Sequence, residues 1–191
     1  MKKKLGILIS GRGSNMAALV EASRATDSSY DVALVASDTP DAAGLAWAAA
    51  HDVATFAHSP KGIPKPEYEA AIDSALREAD VEAIALAGYM RLLSDDFVAK
   101  WRDRIVNIHP SLLPKYKGLD THARALAMGD AEAGCTVHIV TEELDGGDIL
   151  GQAQVRIEAR DTADALAERV LAEEHRLYPR VLSAWLKQLP R

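Results

Sequence analysis

Short apolar runs alternate with helical patterns along the chain up to residue 109. The apolar runs cover residues 5–9, 31–37, 53–57, 81–88 and 104–109. The stretches between them have helical character, one rich in alanine at about residues 41–51 and one charged at about residues 67–80. Short strands that alternate with helices are typical of βαβ units and of a parallel sheet that is buried on both faces.

The pattern changes after Gly118. Two further strands, over residues 135–144 and 149–159, have no full helix between them, so this part of the sheet is expected to be antiparallel or mixed. A long helix follows, with Asp161 or Thr162 as its N-cap, and Pro179 is expected to kink or divide it. The whole pattern predicts a single α/β domain over residues 1–191, with a doubly wound, mostly parallel sheet and a mixed C-terminal part.

Composition narrows the function classes. The chain has 22 Lys+Arg against 28 Asp+Glu, a formal net charge of -6, which argues against nucleic acid as a partner. A single cysteine leaves no disulfide framework and no thiolate metal site. No apolar run approaches the roughly 18 residues of a membrane span, so we expect a cytoplasmic protein with no membrane partner.

The first predicted strand ends in a glycine-rich segment, "SGRGSN", residues 10–15. Gly11 and Gly13 permit a tight turn and close approach of a ligand to the backbone. Ser14 and Asn15 lie at the helix start, where free N–H groups attract an anion. The residues alone fit a phosphate-binding loop or a simple capped turn, and both interpretations stay open.

The same segment departs from two common nucleotide motifs. A dinucleotide fingerprint needs a third glycine where the chain has Met16, although Asp38 at the end of the second strand is placed to bind a ribose. The lysine and the spacing of a Walker A loop are absent. A monophosphate fits the short loop better than a pyrophosphate does.

The fifth predicted strand carries polar residues near its end. Asn107 and His109 alternate with apolar neighbours and therefore point to the same face of the sheet. Pro110 and Pro114 follow and restrict the chain as it leaves the strand. Such a pair suits a catalytic site, and a strand end that reaches solvent would look the same.

A second polar segment is "LDGGDI", in which Asp145 precedes Gly146 and Gly147. An Asp-Gly pair predicts a tight turn between the last two strands. A metal site built from His109, His122 and Asp145 is conceivable, but the chain lacks a regular ligand spacing. We therefore predict no metal site.

Taken together, several segments carry a family resemblance. The chain resembles the folate-dependent formyltransferases that act on glycinamide ribonucleotide, from residue 5 to about residue 186. The segments that carry the resemblance are "GRGSN", "AGYMRLLS", "NIHPSLLPKYKG", "CTVHIVTEELDGGDILGQ" and "EEHRLYP". The resemblance implies a Rossmann-like formyltransferase fold, in which the N-terminal half binds the ribonucleotide phosphate and the C-terminal half binds folate and carries catalysis.

The implied reaction moves the formyl group of 10-formyltetrahydrofolate to the primary amine of N1-(5-phospho-D-ribosyl)glycinamide in de novo purine synthesis. Its products are the N2-formyl compound and tetrahydrofolate. The folate is a cosubstrate, and no metal is needed. The partners are small molecules, and the protein itself is a monomer or a homodimer.

The resemblance also assigns roles to residues of this chain. Those implied to hold the ribonucleotide are Gly13, Ser14, Asn15 and Glu174. Those implied to bind folate are Lys65, Met90, Arg91, Leu92, Leu93, Asn107, Thr141, Glu142, Glu143 and Leu144. Those implied to be catalytic are Asn107, His109 and Asp145.

Each member of the implied trio suits acyl transfer. Attack of an amine on the formyl carbon creates a negative oxygen, to which Asn107 and protonated His109 can donate hydrogen bonds. Asp145 would keep His109 charged and help to move the amine's proton, directly or through water.

Two positions depart from the usual family residues. Asp120 stands in "GLDTH", where the family usually has a histidine, and this makes the local charge more negative. Lys65 stands where many members have an arginine that faces the folate tail. A cation is kept there, but bidentate recognition of a carboxylate is not.

Other functions share parts of this pattern. A 10-formyltetrahydrofolate hydrolase would share the trio, but is expected to carry an extra N-terminal domain. A methionyl-tRNA formyltransferase is expected to carry an extra C-terminal one. A non-enzymatic nucleotide or folate sensor would need the phosphate loop without the trio. A nicotinamide dehydrogenase fits by fold alone, and Met16 counts against it.

Overall fold

Seven strands form one mixed sheet in the computed structural model, which describes residues 2–190. The strands are β1 Lys3–Ile9, β2 Tyr30–Ser37, β3 Thr55–Ala57, β4 Ala83–Leu86, β5 Ile105–His109, β6 Glu132–Ile139 and β7 Ile149–Arg156. The helices are α1 Ser14–Ser23, α2 Ala43–Ala50, α3 Lys65–Glu78, α4 Asp95–Lys100, α5 Thr121–Ala127 and α6 Ala163–Leu186. The predicted α/β class is confirmed.

Of the seven strands in the described residues, only β6 runs opposite to the others. Its strand order is β3-β2-β1-β4-β5-β6-β7, with parallel pairing from β3 to β5 and antiparallel pairing from β5 to β7. This confirms the mixed C-terminal part that the sequence predicts. The turn between β6 and β7 is the expected hairpin connection, because the two strands pair along their full length.

Two apolar cores hold the layers together. Helices α1, α2 and α6 pack on one face of the sheet, around residues such as Met16, Val106 and Tyr178. Helices α3 and α4 cover the other face, around Tyr68 and Phe97. Strands β1 and β4 are buried on both faces, which explains why their sequences read as continuous apolar runs rather than as an alternation.

The long C-terminal helix differs from its prediction in one respect. Thr162 caps it as expected, since its Oγ1 accepts a hydrogen bond from the Ala165 N–H at 3.1 Å. Pro179, however, does not divide the helix, which is continuous over Ala163–Leu186. Apolar packing of Leu177 and Leu182 on the sheet outweighs the one backbone hydrogen bond that proline removes.

Three loops meet at the carboxyl ends of the parallel strands. The glycine loop, residues 10–13, follows β1, while residues 87–94 follow β4 and residues 110–120 follow β5. The first two are joined by hydrogen bonds, since Ser10 N–H donates to the Gly88 carbonyl at 3.1 Å and the Met90 N–H donates to Ser10 Oγ at 2.9 Å. In doubly wound sheets this edge is where ligands bind.

Within residues 2–190, no helix combines the length and the apolar character that crossing a bilayer requires.

Tyr178 links α6 to the sheet near the carboxyl ends of the parallel strands. Its buried hydroxyl lies 3.0 Å from the Leu86 carbonyl and 3.2 Å from the Val106 carbonyl, so it bridges β4 and β5. We predict that Tyr178→Phe lowers the free energy of unfolding by about 1–3 kcal/mol, because buried carbonyls lose a donor. Urea unfolding followed by circular dichroism measures this. An unchanged free energy would show that the hydroxyl does not stabilise the junction.

Candidate active site

Strand pairing brings a histidine opposite the predicted polar pair. In the antiparallel register of β5 and β6, Asn107 lies opposite His138 and His109 lies opposite Thr136. Sequence reasoning placed His138 on a strand but did not assign it to the site. Only the register of the two strands could have done so, since nothing in the local sequence fixes which residues face each other.

His109 is buried between two hydrogen-bond acceptors. Its Nε2 lies 2.9 Å from the Tyr116 carbonyl and donates to it, and its Nδ1 lies 3.5 Å from Asp145 Oδ2. The Nε2 atom therefore carries a proton, and a second acceptor faces the ring at Nδ1. The Nδ1 distance is longer than a normal hydrogen bond, so this nitrogen is available to an incoming oxygen.

Groups from three segments surround Asp145. The Gly118 N–H donates to its Oδ2 at 2.9 Å, and His138 Nε2 lies 3.6 Å from its Oδ1. Burial alone would raise the pKa of Asp145, but His138, the Gly118 N–H and the nearby His109 together lower that pKa below its ordinary value. The carboxylate is therefore ionised across the neutral pH range.

The turn around Asp145 depends on a glycine. A Cβ atom on Gly147 would lie 2.0 Å from the Ile139 carbonyl oxygen, so no larger residue fits there without movement of the backbone. Asp145 itself has a left-handed φ of 48°, which Asp tolerates better than most residues. The Asp-Gly-Gly sequence therefore gives the turn that aims the carboxylate at the histidines.

Asn107 completes the cluster through His138. Its Nδ2 lies 3.3 Å from His138 Nε2, while His138 Nδ1 donates to the Ile139 carbonyl at 2.8 Å. The structure thus brings Asn107, His109 and Asp145 together, as the resemblance implies, with His138 between two of them. An amide, two imidazoles and a carboxylate in contact can donate to a developing oxyanion and accept a proton.

The glycine loop leads directly into α1. Gly13 has a left-handed φ of 71°, and a Cβ there would lie 2.8 Å from Met16 Cε and 3.1 Å from Gly44 Cα. No side chain caps α1, so the N–H groups of Ser14 and Asn15 are not bonded by a cap. The simple capped turn is therefore not what the structure shows, and the helix start offers donors to an anion.

Asn15 and Glu174 join the glycine loop to α6. Asn15 Nδ2 donates to Glu174 Oε2 at 2.6 Å, and both side chains are buried. Burial raises the pKa of Glu174, and the bond from Asn15 offsets part of that rise. Within the described residues, Asn15 Oδ1 is buried without a hydrogen-bond partner. An unsatisfied buried acceptor beside a buried carboxyl calls for a partner, and a hydroxyl donor from outside the chain would satisfy it.

Apart from Lys65 on α3 and Asn107 on β5, the residues implied to bind folate lie on two loops. On the first, Met90 and Leu92 are exposed, Leu93 packs against the core beneath α3 and α4, and the Arg91 guanidinium lies 5.3 Å above the centre of the Tyr68 ring. Exposed large apolar side chains next to a polar site are a feature of ligand-binding surfaces.

The second loop precedes and includes the aspartate turn. Leu144 is exposed, and Thr141 Oγ1 donates to the Glu143 carbonyl at 3.4 Å. The acidic side chains are paired outward, Glu142 with Arg102 at 3.2 Å and Glu143 with Lys117 at 2.7 Å. From this loop, the backbone and the apolar Leu144 are thus left to meet a ligand.

Lys65 and Asp120, the two positions that depart from the usual family residues, both lie at the starts of helices. Lys65 is the first residue of α3, and its Nζ lies 4.0 Å from Glu69 Oε1, at the limit of an ion pair. Glu69 is buried and accepts a hydrogen bond from the Ser94 N–H at 2.8 Å, so it also fixes the end of the loop over residues 87–94. Asp120 precedes α5 with a φ of 57°, and its side chain does not cap that helix.

Metal ligands do not gather anywhere in residues 2–190, which contain no group of three or more His, Cys, Asp or Glu able to hold an ion. His122, considered above as a ligand, is half-buried, and within those residues its Nδ1 has no hydrogen-bond partner. Burial and the neighbouring His109 lower the pKa of His122.

Comparisons with known proteins agree on one family. Residues 3–182 match the formyl transferase family. The trifunctional purine biosynthetic protein adenosine-3 of Drosophila melanogaster is 45% identical over 185 residues, which cover 95% of this chain and 14% of that protein. The chain therefore spans only a small part of these longer relatives.

Single-function relatives match over nearly their whole length. Phosphoribosylglycinamide formyltransferase of Escherichia coli K12 is 43% identical over 180 residues, covering 93% of this chain and 84% of the relative. The crystal structure of phosphoribosylglycinamide formyltransferase from Brucella melitensis superposes with a TM-score of 0.94 at 47% identity, covering 100% of this chain and 99% of the other.

The lowered pKa of Asp145 predicts a pH effect on stability. A carboxylate whose pKa is lowered on folding stabilises the folded state above its unfolded pKa of about 3.9 and loses that effect as the pH falls through the folded pKa. Asp145→Asn should therefore have a lower free energy of unfolding than the wild type at pH 7, and the difference should narrow below about pH 4. Urea unfolding across this range measures it, and a constant difference would contradict the assigned ionisation.

Proposed function

The chain belongs to the formyl transferase family, and on that premise we propose that it transfers the formyl group of 10-formyltetrahydrofolate to the amine of glycinamide ribonucleotide. The products are the N2-formyl ribonucleotide and tetrahydrofolate, in de novo purine synthesis. The observation that carries the proposal is the contact of Asp145 with both His109 and His138 beside Asn107. The names of its relatives support the same substrate.

The cluster supplies what formyl transfer requires. The substrate amine attacks the formyl carbon, a C–N bond forms and the carbonyl oxygen becomes an oxyanion. Asn107 Nδ2 and protonated His109 Nδ1 donate hydrogen bonds to that oxygen. Asp145 receives the proton of the attacking amine, directly or through water. The bond to folate N10 then breaks, and N10 takes a proton as tetrahydrofolate leaves.

The substrates occupy the two sides of this cluster. The ribonucleotide phosphate binds the N–H groups of Gly13, Ser14 and Asn15, and the ribose meets Glu174. Folate lies along Lys65, Met90, Arg91, Leu92, Leu93, Asn107, Thr141, Glu142, Glu143 and Leu144. This divides a single domain into a phosphate-binding N-terminal half and a C-terminal half for folate and catalysis, with Glu174 reaching back to the first half through Asn15.

The proposal also covers the location, the oligomeric state and the cosubstrate of the protein. The protein acts in the cytoplasm on small molecules, as a monomer or a homodimer, with folate as cosubstrate and without a metal. Supporting this, its negative net charge of -6 disfavours nucleic acid, and its one cysteine is buried.

A direct assay tests the function. Loss of 10-formyltetrahydrofolate is followed by absorbance with and without glycinamide ribonucleotide, and the formylated product is identified by mass spectrometry. Consumption only in the presence of the ribonucleotide supports the proposal. Consumption without it identifies a hydrolase, and binding without consumption identifies a non-enzymatic module.

Asp145 gives the first kinetic prediction. Asp145→Asn keeps the size and the acceptor for the Gly118 N–H but removes the charge and the proton acceptor. We expect kcat to fall at least roughly a hundredfold, with much smaller changes in the KM of either substrate. The matched control is Asp148→Asn, an exposed aspartate on the same hairpin. Wild-type turnover in a folded Asp145→Asn protein would exclude Asp145 from catalysis.

Asn15 gives the second kinetic prediction. Asn15→Ala removes a bond to a buried carboxyl at the edge of the glycine loop, worth about 1.5–3 kcal/mol. The KM for the ribonucleotide should therefore rise about ten- to a hundredfold while folate affinity stays nearly unchanged. Glu21→Gln, on the exposed side of the same helix, is the control. An unchanged ribonucleotide KM would remove the phosphate site from this loop.

A further inference from the structure

The backbone of the loop after β5 contacts both His109 and Asp145. We call residues 110–120 the proline loop. The Tyr116 carbonyl accepts the hydrogen bond from His109 Nε2 at 2.9 Å, and the Gly118 N–H donates to Asp145 Oδ2 at 2.9 Å. The position of residues 116–118 therefore sets which way the His109 ring faces and where the carboxylate sits.

This part of the loop does not hold its shape by backbone preference. Tyr116 has a φ of 56° and Gly118 a φ of 78°, both in the left-handed region. Glycine adopts that conformation freely, but tyrosine does not, so contacts from outside must maintain it. The first half of the loop is fixed by buried bonds, such as the one from Leu113 N–H to Thr136 Oγ1 at 3.0 Å. In the second half, Ser111 Oγ donates to the Lys115 carbonyl at 2.6 Å, which fixes the backbone there but leaves the side chains of Lys115 and Tyr116 to be held separately.

Asp130 supplies the missing anchor. It lies just after α5, where its own N–H donates to the Ala125 carbonyl at 3.2 Å. Its carboxylate accepts the Tyr116 hydroxyl at 2.8 Å and lies 3.1 Å from Lys115 Nζ through both oxygens. Only 18% of the Asp130 side chain is exposed, so the contact is set into the surface rather than free in solvent.

Arg124 reinforces the same half of the loop from α5. Its Nη1 donates to the Lys117 carbonyl at 2.7 Å and to the Leu119 carbonyl at 3.1 Å. Its guanidinium also lies 5.2 Å from the centre of the Tyr116 ring. The hydroxyl and the ring of Tyr116 are thus both fixed from the segment that contains α5 and Asp130.

We propose that Asp130 is a positioning residue for the formyl transfer: it holds Lys115 and Tyr116 so that the backbone of residues 116–118 orients His109 and Asp145. The kinetic consequences rest on the proposed function. The claim that Asp130 orients His109 and Asp145 through the loop backbone does not depend on that function. Asp130 itself does not touch the reacting atoms. It acts through the Tyr116 carbonyl and the Gly118 N–H.

Kinetics of Asp130→Ala test the first consequence. Because misplacement of catalytic groups by about 1 Å costs on the order of a hundredfold, we expect kcat to fall about ten- to a hundredfold, with smaller changes in both KM values. Asp130→Asn keeps an acceptor for the Tyr116 hydroxyl and should recover most of the activity. Tyr116→Phe should lose as much as Asp130→Ala, and the double variant should lose no more than either.

A matched control is available elsewhere in the fold. Asp80 also follows a helix, has a φ of 53° and pairs with a lysine, Lys4, at 2.9 Å, but it lies at the other end of the strands. Asp80→Ala should leave kcat unchanged. Equal losses in the two alanine variants would mean that general destabilisation causes the effect, and would overturn the proposal.

A spectroscopic measurement separates this proposal from the proposed function. In ¹⁵N-labelled protein without substrate, the His109 Nε2–H bonded to Tyr116 should give a slowly exchanging proton signal in the wild type. That signal should be lost or exchange faster in Asp130→Ala and Tyr116→Phe, and persist in Asp80→Ala. If it is unchanged in a folded Asp130→Ala protein, Asp130 does not position His109 and the proposal fails. A wild type without formyl transfer would overturn the proposed function alone, because this signal can still be measured.

Discussion

The burial of one carboxylate determines how three separate segments of this protein meet. Asp145 has only 8% of its side chain exposed, and a buried charge is tolerated only when donors replace the lost water. The Gly118 N–H from the proline loop donates directly, and the imidazoles of His109 from β5 and His138 from β6 lie 3.5 and 3.6 Å from the carboxylate. If any of these segments moved away, the carboxylate would keep its desolvation cost and lose a partner. The geometry of the proposed catalytic cluster follows from this single requirement.

The antiparallel end of the sheet brings His138 into this meeting, because it places His138 opposite Asn107. The β6–β7 loop, residues 140–148, begins where Ile139 pairs with Val106, near the start of β5, yet Asp145 contacts His109 at the end of β5. Because β5 has only five residues, a loop of this length can span it. A parallel β6 would begin its following loop at the carboxyl end of β5, closer to His109, but its pairing register would differ and His138 would not face Asn107.

Much of this architecture could be predicted from the sequence, because it depends on local patterns. Apolar runs predicted where the strands lie along the chain, Gly11 and Gly13 marked the loop after β1, and Asn107 and His109 stood out as polar residues at a strand end. The short helices α4 and α5 were not predicted, since six- and seven-residue helices carry too little periodicity. The role of His138 depends on strand register, and the unbroken course of α6 through Pro179 depends on packing. Strand register and packing cannot be predicted from the residues next to His138 or Pro179 in the sequence.

The net charge of the protein has the same sign as the charges of the proposed substrates. Both proposed substrates are anions, whereas the protein carries a formal net charge of -6, so its overall field does not attract them. Attraction must come from local groups whose fields act within about a Debye length, roughly 8–10 Å. The uncapped start of α1 and the guanidinium of Arg91 are such groups, and both lie on segments at the carboxyl edge of the sheet. The outward pairing of Glu142 and Glu143 with Arg102 and Lys117 acts in the same sense, because it neutralises carboxylates on the loop that carries Asp145. Under the proposed function, recognition of the two anionic substrates therefore depends on nearby donors rather than on the net charge of the protein.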